Sequence, residues 1–88
     1  MMHQILAPVA GLAPINIGDV VYQGTVVVRK ETYNDYMRLG DVCDVLETST
    51  VKDVLSSMQV LNRRTGKAGG WFGPKFVYLQ TPDRDEPL

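Results

Sequence analysis

The clearest hydrophobic pattern in the chain runs from Val51 to Leu61. Apolar residues recur there at positions 51, 54, 55, 58 and 61, which is the spacing of one face of an α-helix. Thr50 followed by Asp53 resembles a capping box at the start of this helix, and Gly66 is placed to end it. The pattern predicts one long amphipathic helix.

A second capping signal, Thr32 with Asp35, predicts a short helix that ends at Gly40. Two tyrosines and a methionine inside it would share one helical face. Residues 41–48, which lie between the two predicted helices, fit either a strand or a helical turn, and we interpret them as a helical turn because their apolar residues have helical spacing.

Three other segments favour strands. Residues 20–29 are dense in β-branched side chains, which fit a pleated sheet and lose rotamer freedom in a helix. Gly24 divides this segment, either as part of a tight hairpin turn or as a bulge in one long strand. Residues 26–28 are three consecutive valines and predict burial on both faces. Residues 75–80 predict a central strand, and residues 4–7 predict a short edge strand.

These elements predict an α+β fold. We expect a small, mostly antiparallel sheet of three to four strands, with one long and one short helix packed on one face. Residues 1–82 are expected to form a single globular domain, and residues 83–88 a flexible acidic tail.

Composition narrows the function classes. The 88 residues carry a net charge of −1 and one cysteine, Cys43, which excludes an internal disulfide and favours the reducing cytoplasm. No apolar run approaches the length of a membrane span. The single histidine and the absence of metal-ligand spacing argue against a catalytic triad or a metal site. We therefore expect no enzyme activity, no catalytic residues, no bound metal and no cofactor.

Residues 62–76 form the most distinctive segment, because they contain four cations, no acid, and a run of glycines and aromatic residues. The candidate binding residues are Arg63, Arg64, Lys67, Trp71, Phe72 and Lys75. Three interpretations stay open. The cations could neutralise phosphates while the aromatic rings stack on bases, the segment could anchor a protein partner, or it could be a structural turn that follows a helix.

The sequence thus predicts a small non-enzymatic binding protein, a regulator or inhibitor of bacterial or phage type that acts on a protein partner through this basic loop. A nucleic-acid-binding accessory protein that uses the same loop is the first alternative. The second alternative is a structural subunit of a homo-oligomer that assembles through strand edges.

Two short stretches, APVAG at residues 7–11 and GDVVYQG at residues 18–24, resemble the start of a biotinyl or lipoyl carrier domain. In that family the function depends on a modified lysine in a later hairpin. No lysine stands in the expected hairpin motif of this chain, so the resemblance implies similar turns and no carrier function.

Overall fold

The computed structural model describes residues 5–7 and 11–80 of the chain. The strands are β1 (Leu12–Pro14), β2 (Val26–Arg29), β3 (Val42–Val51), β4 (Val54–Asn62), β5 (Lys67–Ala68) and β6 (Val77–Gln80). They form one six-stranded antiparallel sheet in the order β1-β6-β2-β3-β4-β5. The predicted acidic tail lies outside the described residues.

The α+β prediction is wrong. In the described part of the chain, the single helical element is a three-residue 3-10 turn, Pro74–Phe76. The predicted long helix is instead β4 together with the end of β3, the predicted short helix is an irregular loop, and residues 41–48 belong almost entirely to β3. None of these elements could span a membrane as a helix.

A tight turn joins β3 to β4. Val51 and Val54 face each other across the ladder, so the loop between them has two residues, Lys52 and Asp53. Both adopt left-handed backbone angles, with φ values of 51° and 65°. Two-residue loops of this kind match the right-handed twist of the strands they connect. The local turn therefore closes a long hairpin where the hydrophobic pattern predicted a continuous helix.

The burial pattern shows why β4 is a strand. Met58, Val60 and Asn62 are all buried and alternate with less buried neighbours. Residues two positions apart lie about 200° apart around a helix but on the same face of a strand. Only the extended backbone places all three side chains in one core.

The main core covers one face of the sheet. Its strand residues are Val27, Cys43, Val45, Met58, Val60 and Val77. Val21 and Met37 from the loops complete this cluster, and Phe72 packs against it. The opposite face also buries side chains, because Val28 and Tyr78 are neighbours in the ladder and the Tyr78 hydroxyl donates a hydrogen bond to the Leu6 carbonyl oxygen.

Two of the strand predictions are confirmed. Val27 and Val28 point to opposite faces and are both buried, as the valine run predicted. Residues 77–80 form β6, although this strand lies between β1 and β2, while β2 and β3 occupy the middle of the sheet. At Gly24, whose φ is 89°, the chain turns before β2, and the amide of Thr25 donates to the Tyr22 carbonyl oxygen.

Candidate functional site: an aromatic groove

Two adjoining pockets lie at one end of the core face. Their volumes are about 570 and 340 Å³, and both are lined by Tyr33, Met37 and Gly70. We call the combined surface the aromatic groove and define it by its large side chains: Arg29, Tyr33, Tyr36, Met37, Trp71 and Phe72.

One wall of the groove is the loop that follows β2. Its turn is closed by backbone hydrogen bonds from the Tyr33 amide to the Met37 carbonyl (2.8 Å) and from the Met37 amide to the Asn34 carbonyl (3.1 Å). The Asn34 side-chain oxygen accepts a bond from the Tyr36 amide (2.9 Å), a local pattern that competes with helix formation. The hydroxyl of Thr32, which sequence reasoning assigned to a helix cap, accepts from the amide of Leu39.

The opposite wall is the segment 69–72, which runs beside β4. Phe72 and Met58 exchange backbone hydrogen bonds, and the Gly69 amide donates to the Val60 carbonyl. A Cβ on Gly69 would lie 2.9 Å from the Met37 methyl carbon, which is closer than such atoms pack. Glycine at position 69 therefore lets Met37 lie against the backbone and form the common floor of the two pockets.

The rim of the groove carries large aromatic side chains in contact with solvent. Tyr33 is 77% exposed, Tyr36 is 60% exposed and Trp71 is 49% exposed. Tyrosine and tryptophan combine a large apolar surface with a polar tip, and both are enriched where proteins bind other molecules. Two separate stretches of chain thus bring three such residues to one surface.

Arg29 lies at the bottom of the larger pocket. It ends β2 on the core face and is only 4% exposed. Its guanidinium carbon lies over the rings of Phe72 and Phe76, 5.1 and 5.4 Å from their centroids, and its Nε donates to the Glu31 carbonyl oxygen. Burial lowers the pKa of Arg29, and the Glu31 carboxylate opposes that shift. The guanidinium stays charged at neutral pH because its ordinary pKa is so high.

The structure gathers half of the sequence-predicted binding residues into the groove. Trp71 and Phe72 line the larger pocket and Lys67 lines the smaller one, with its ammonium 5.3 Å from the centre of the Tyr36 ring. Arg63, Arg64 and Lys75 line neither pocket. The residues of the basic segment are therefore divided between the groove and other parts of the surface.

Arg63 is paired with an acid on the neighbouring strand. Its Nε and Nη2 donate to the two carboxylate oxygens of Asp44 at 2.8 and 2.7 Å. The hydrogen bonds from Arg63 lower the pKa of Asp44, and the same contact raises the pKa of Arg63. This bidentate geometry uses two of the N–H donors of the guanidinium and offsets its charge, which weakens its attraction for an anionic ligand.

Arg64 is paired with a buried acid. Its Nε and Nη2 donate to Asp41 at 2.8 and 3.0 Å, and the Asn62 amide and the Arg38 backbone amide also donate to Asp41. Burial alone would raise the pKa of Asp41, but the hydrogen bonds from Arg64, Arg38 and Asn62 outweigh it and lower the pKa to about 2. Arg64 thus fixes the base of the loop that forms one wall of the groove.

Lys75 lies elsewhere on the surface. Its ammonium is 5.1 Å from the centre of the Phe76 ring, and it lines a smaller pocket of about 210 Å³ together with Ile15, Ile17 and Leu55. This pocket also includes Val54, next to the turn of the β3–β4 hairpin, and none of the described residues that line it is aromatic.

Sequence reasoning missed four residues of the groove: Arg29, Tyr33, Tyr36 and Met37. A signal for Arg29 was present, because a lone arginine directly after a buried valine run is a candidate for a buried cation. The other three were assigned to one face of a helix. They do share one surface, although a loop brings them together.

The described residues offer neither a metal site nor a reactive cysteine. They contain no cluster of three histidine, cysteine or acidic side chains that could hold a metal ion. Cys43 is fully buried, and burial raises the pKa of its thiol to about 11, so the thiolate that a nucleophile needs is disfavoured at neutral pH.

In comparisons with known proteins, no family model, no curated protein and no solved structure matched the chain.

Proposed function

We propose that the protein is a small non-enzymatic binding module, a regulator or inhibitor, whose aromatic groove holds a segment of a protein partner. One observation carries this proposal: Tyr33, Tyr36 and Trp71 come from two separate segments and surround adjoining pockets while remaining exposed. Tyrosine, tryptophan and arginine are the residues that most often dominate the energy of protein interfaces.

The floor of the groove suits a variable peptide surface. Met37 is unbranched and polarisable, and such side chains adapt to the shape of a bound segment. Met37 belongs to the hydrophobic core and packs against its other members. The wall that contains Phe72 is held in place, because the Phe72 backbone exchanges hydrogen bonds with Met58 of β4. The rigid wall reduces the entropy lost when a partner binds, and the adaptable floor lets the groove fit the side chains of that partner.

A protein partner is better supported than a nucleic acid. Arg63 and Arg64 already form bidentate pairs with Asp44 and Asp41, so their charges are offset and attract phosphates less. Binding to a duplex depends on free cations that neutralise phosphates. Nucleic acid remains the alternative that strong salt dependence of binding would support.

Self-association and location stay proposals. Residues 47–51 of β3 pair with β4 on one side, and the described residues provide no strand on the other side. An open strand edge can pair with a second copy of the chain, and light scattering would measure the mass of such an assembly. The unpaired Cys43 is in keeping with a cytoplasmic location.

Photocrosslinking tests the proposed surface. The photoreactive residue benzoylphenylalanine would replace Tyr33 or Trp71 in the groove, or Gln23, which is exposed and lines neither pocket, as the control. Irradiation in a lysate of the native host should give the same crosslinked protein from positions 33 and 71, and none from position 23. Equal crosslinking from all three positions would contradict the proposal.

A further inference from the structure

We infer that Arg29 is the anchor of the groove and that it binds a carboxylate that stands next to an apolar or aromatic side chain of the partner. This inference rests on the proposed function and names the chemistry that the groove recognises. It begins from an arginine that is almost fully buried and whose charge is not matched by an ion pair in the part of the chain that the structure describes.

The hydrogen-bonding capacity of Arg29 is largely unused. Its Nε donates to the Glu31 carbonyl oxygen at 3.1 Å, but neither Nη nitrogen has an acceptor among the described residues. Those residues also include no side-chain nitrogen or oxygen that is both fully buried and without a hydrogen bond. The two Nη nitrogens therefore reach solvent, and they do so through the pocket that Arg29 lines.

The surroundings of the guanidinium select the shape of the ligand. Phe72 and Phe76 present their rings to its carbon atom, so those directions are taken by cation–π contacts and not by hydrogen bonds. The Nη donors that remain lie in the plane of the group, and such a planar fork matches the two oxygens of a carboxylate. A carboxylate is favoured over a phosphate because Arg29 is the only cation among the described residues that line the larger pocket.

The rest of the pocket selects what the carboxylate is attached to. Met37, Trp71 and Phe72 surround the approach to Arg29 with apolar surface. The ligand class is therefore a single carboxylate beside an apolar body, as in a segment that contains an acidic residue next to an aromatic one, or in a chain terminus that ends in an aromatic residue.

Trp71 provides the measurement, because it is the only tryptophan in the chain and it lines the pocket. The probes are acetyl-Phe-Glu amide, its neutral counterpart acetyl-Phe-Gln amide, and acetyl-Phe with a free terminal carboxylate. Each is titrated into the full-length protein while Trp71 emission is recorded. We expect the glutamate peptide to bind at least about tenfold more tightly than the glutamine peptide, since bonds between charged groups are the stronger ones.

The third probe identifies the source of the carboxylate. Tighter binding of acetyl-Phe than of the glutamate peptide would assign the site to a chain terminus, and the reverse order would assign it to an acidic side chain. Either order supports the inference. Inorganic phosphate that displaces the glutamate peptide at an equal concentration would overturn it.

Variants test the residue itself. Arg29→Lys keeps the positive charge and removes the planar fork, so it should abolish most of the preference for glutamate over glutamine, whereas Lys75→Gln, outside the groove, should leave that preference unchanged. The comparison of the two peptides on the parent protein needs no variant and remains decisive if Arg29→Lys does not fold.

Failure of this inference differs from failure of the proposed function. If both peptides bind with the same affinity and Tyr33→Ser weakens both, the groove holds peptides but Arg29 does not select a carboxylate. If the preference for glutamate is intact while crosslinking from positions 33 and 71 yields no partner, the carboxylate site stands and the protein partner is overturned. Absence of binding by every probe overturns the inference.

Discussion

At the residue scale, Asp41 belongs to a polar network of side chains near the groove. It is 7% exposed and accepts hydrogen bonds from Arg64, Asn62 and the Arg38 backbone amide. Asn62 also donates to the Tyr36 carbonyl oxygen at 2.9 Å. The network ties the end of β4 to the loop that carries one wall of the groove, so it has a structural role and also positions the groove.

Acid should remove the contribution of Asp41 to stability. Its pKa is about 2 in the folded protein against 3.8 ordinarily, so its stabilisation is fully present above about pH 4 and is lost as the pH falls through 2. We expect the loss to be on the order of 2 kcal/mol. Over this pH range, the free energy of unfolding measured with urea should depend less on pH for Asp41→Asn than for the parent protein. Parallel curves for the two proteins would show that the group does not titrate as described.

The two arginine–aspartate ion pairs should contribute differently to the stability of the fold. Arg64→Gln leaves the nearly buried Asp41 carboxylate without its cation and should lower the thermal midpoint by several degrees. Arg63→Gln breaks a pair on the surface and should change the midpoint little. In an Asp41→Asn background the effect of Arg64→Gln should shrink markedly. An equal loss from both arginine variants would contradict the assignment of the buried network.

The sequence identified these arginines but not their partners. Asp41 and Asp44 are about twenty residues away along the chain, and they meet Arg64 and Arg63 because β3 pairs with β4. A surplus of local positive charge predicts a binding surface only if the fold does not supply the opposite charge. Here antiparallel pairing supplies it.

At the scale of the elements, the β3–β4 hairpin shows how two periodicities can overlap. The apolar positions 51, 54, 55, 58 and 61 fit a helix, whereas the buried positions 58, 60 and 62 fit a strand. The last of these is Asn62, which a hydrophobic pattern does not recognise as buried. The turn residues, Lys52 and Asp53, also lack the asparagine–glycine signature of a two-residue hairpin.

Two substitutions in β4 distinguish the strand from the helix. Met58 is fully buried in the core cluster, and Met58→Ala should destabilise the protein by about 2–5 kcal/mol. Leu61 is partly exposed and lies outside that cluster, so Leu61→Ala should have less than about half that effect. Chemical denaturation measures both. Similar losses would favour the helix, in which both residues would share one face.

The hairpin turn offers a stabilising substitution. Asp53 has a φ of 65°, and a left-handed backbone is less strained for glycine than for other residues. We expect Asp53→Gly to raise the free energy of unfolding by about 0.5–1 kcal/mol, and Asp53→Val to lower it. Denaturant titration of the two variants checks the turn geometry. A destabilised glycine variant together with an unaffected valine variant would contradict it.

At the scale of the whole molecule, the groove is assembled from two distant parts of the sequence: the end of β2 with the loop that follows it, which carry Arg29 and Tyr33, and the segment that ends at Phe72. Local composition predicted the contribution of Lys67, Trp71 and Phe72. It could not predict that β2 and β4 would bring the other residues to the same place, because strand pairing over long separations leaves no local pattern. The valine strand and β6 were predictable since their propensities agree with the final fold.

The central claim is that a protein partner binds to the aromatic groove and not to a general basic surface. The most direct test is the dissociation constant of the purified crosslinked partner for four folded variants: Tyr33→Ala, Trp71→Ala, Arg63→Ala and Lys75→Ala. We predict that each aromatic substitution weakens binding at least about tenfold, while each cation substitution changes it less than about threefold. Loss of binding with the cation variants and unchanged binding with the aromatic variants would contradict the claim.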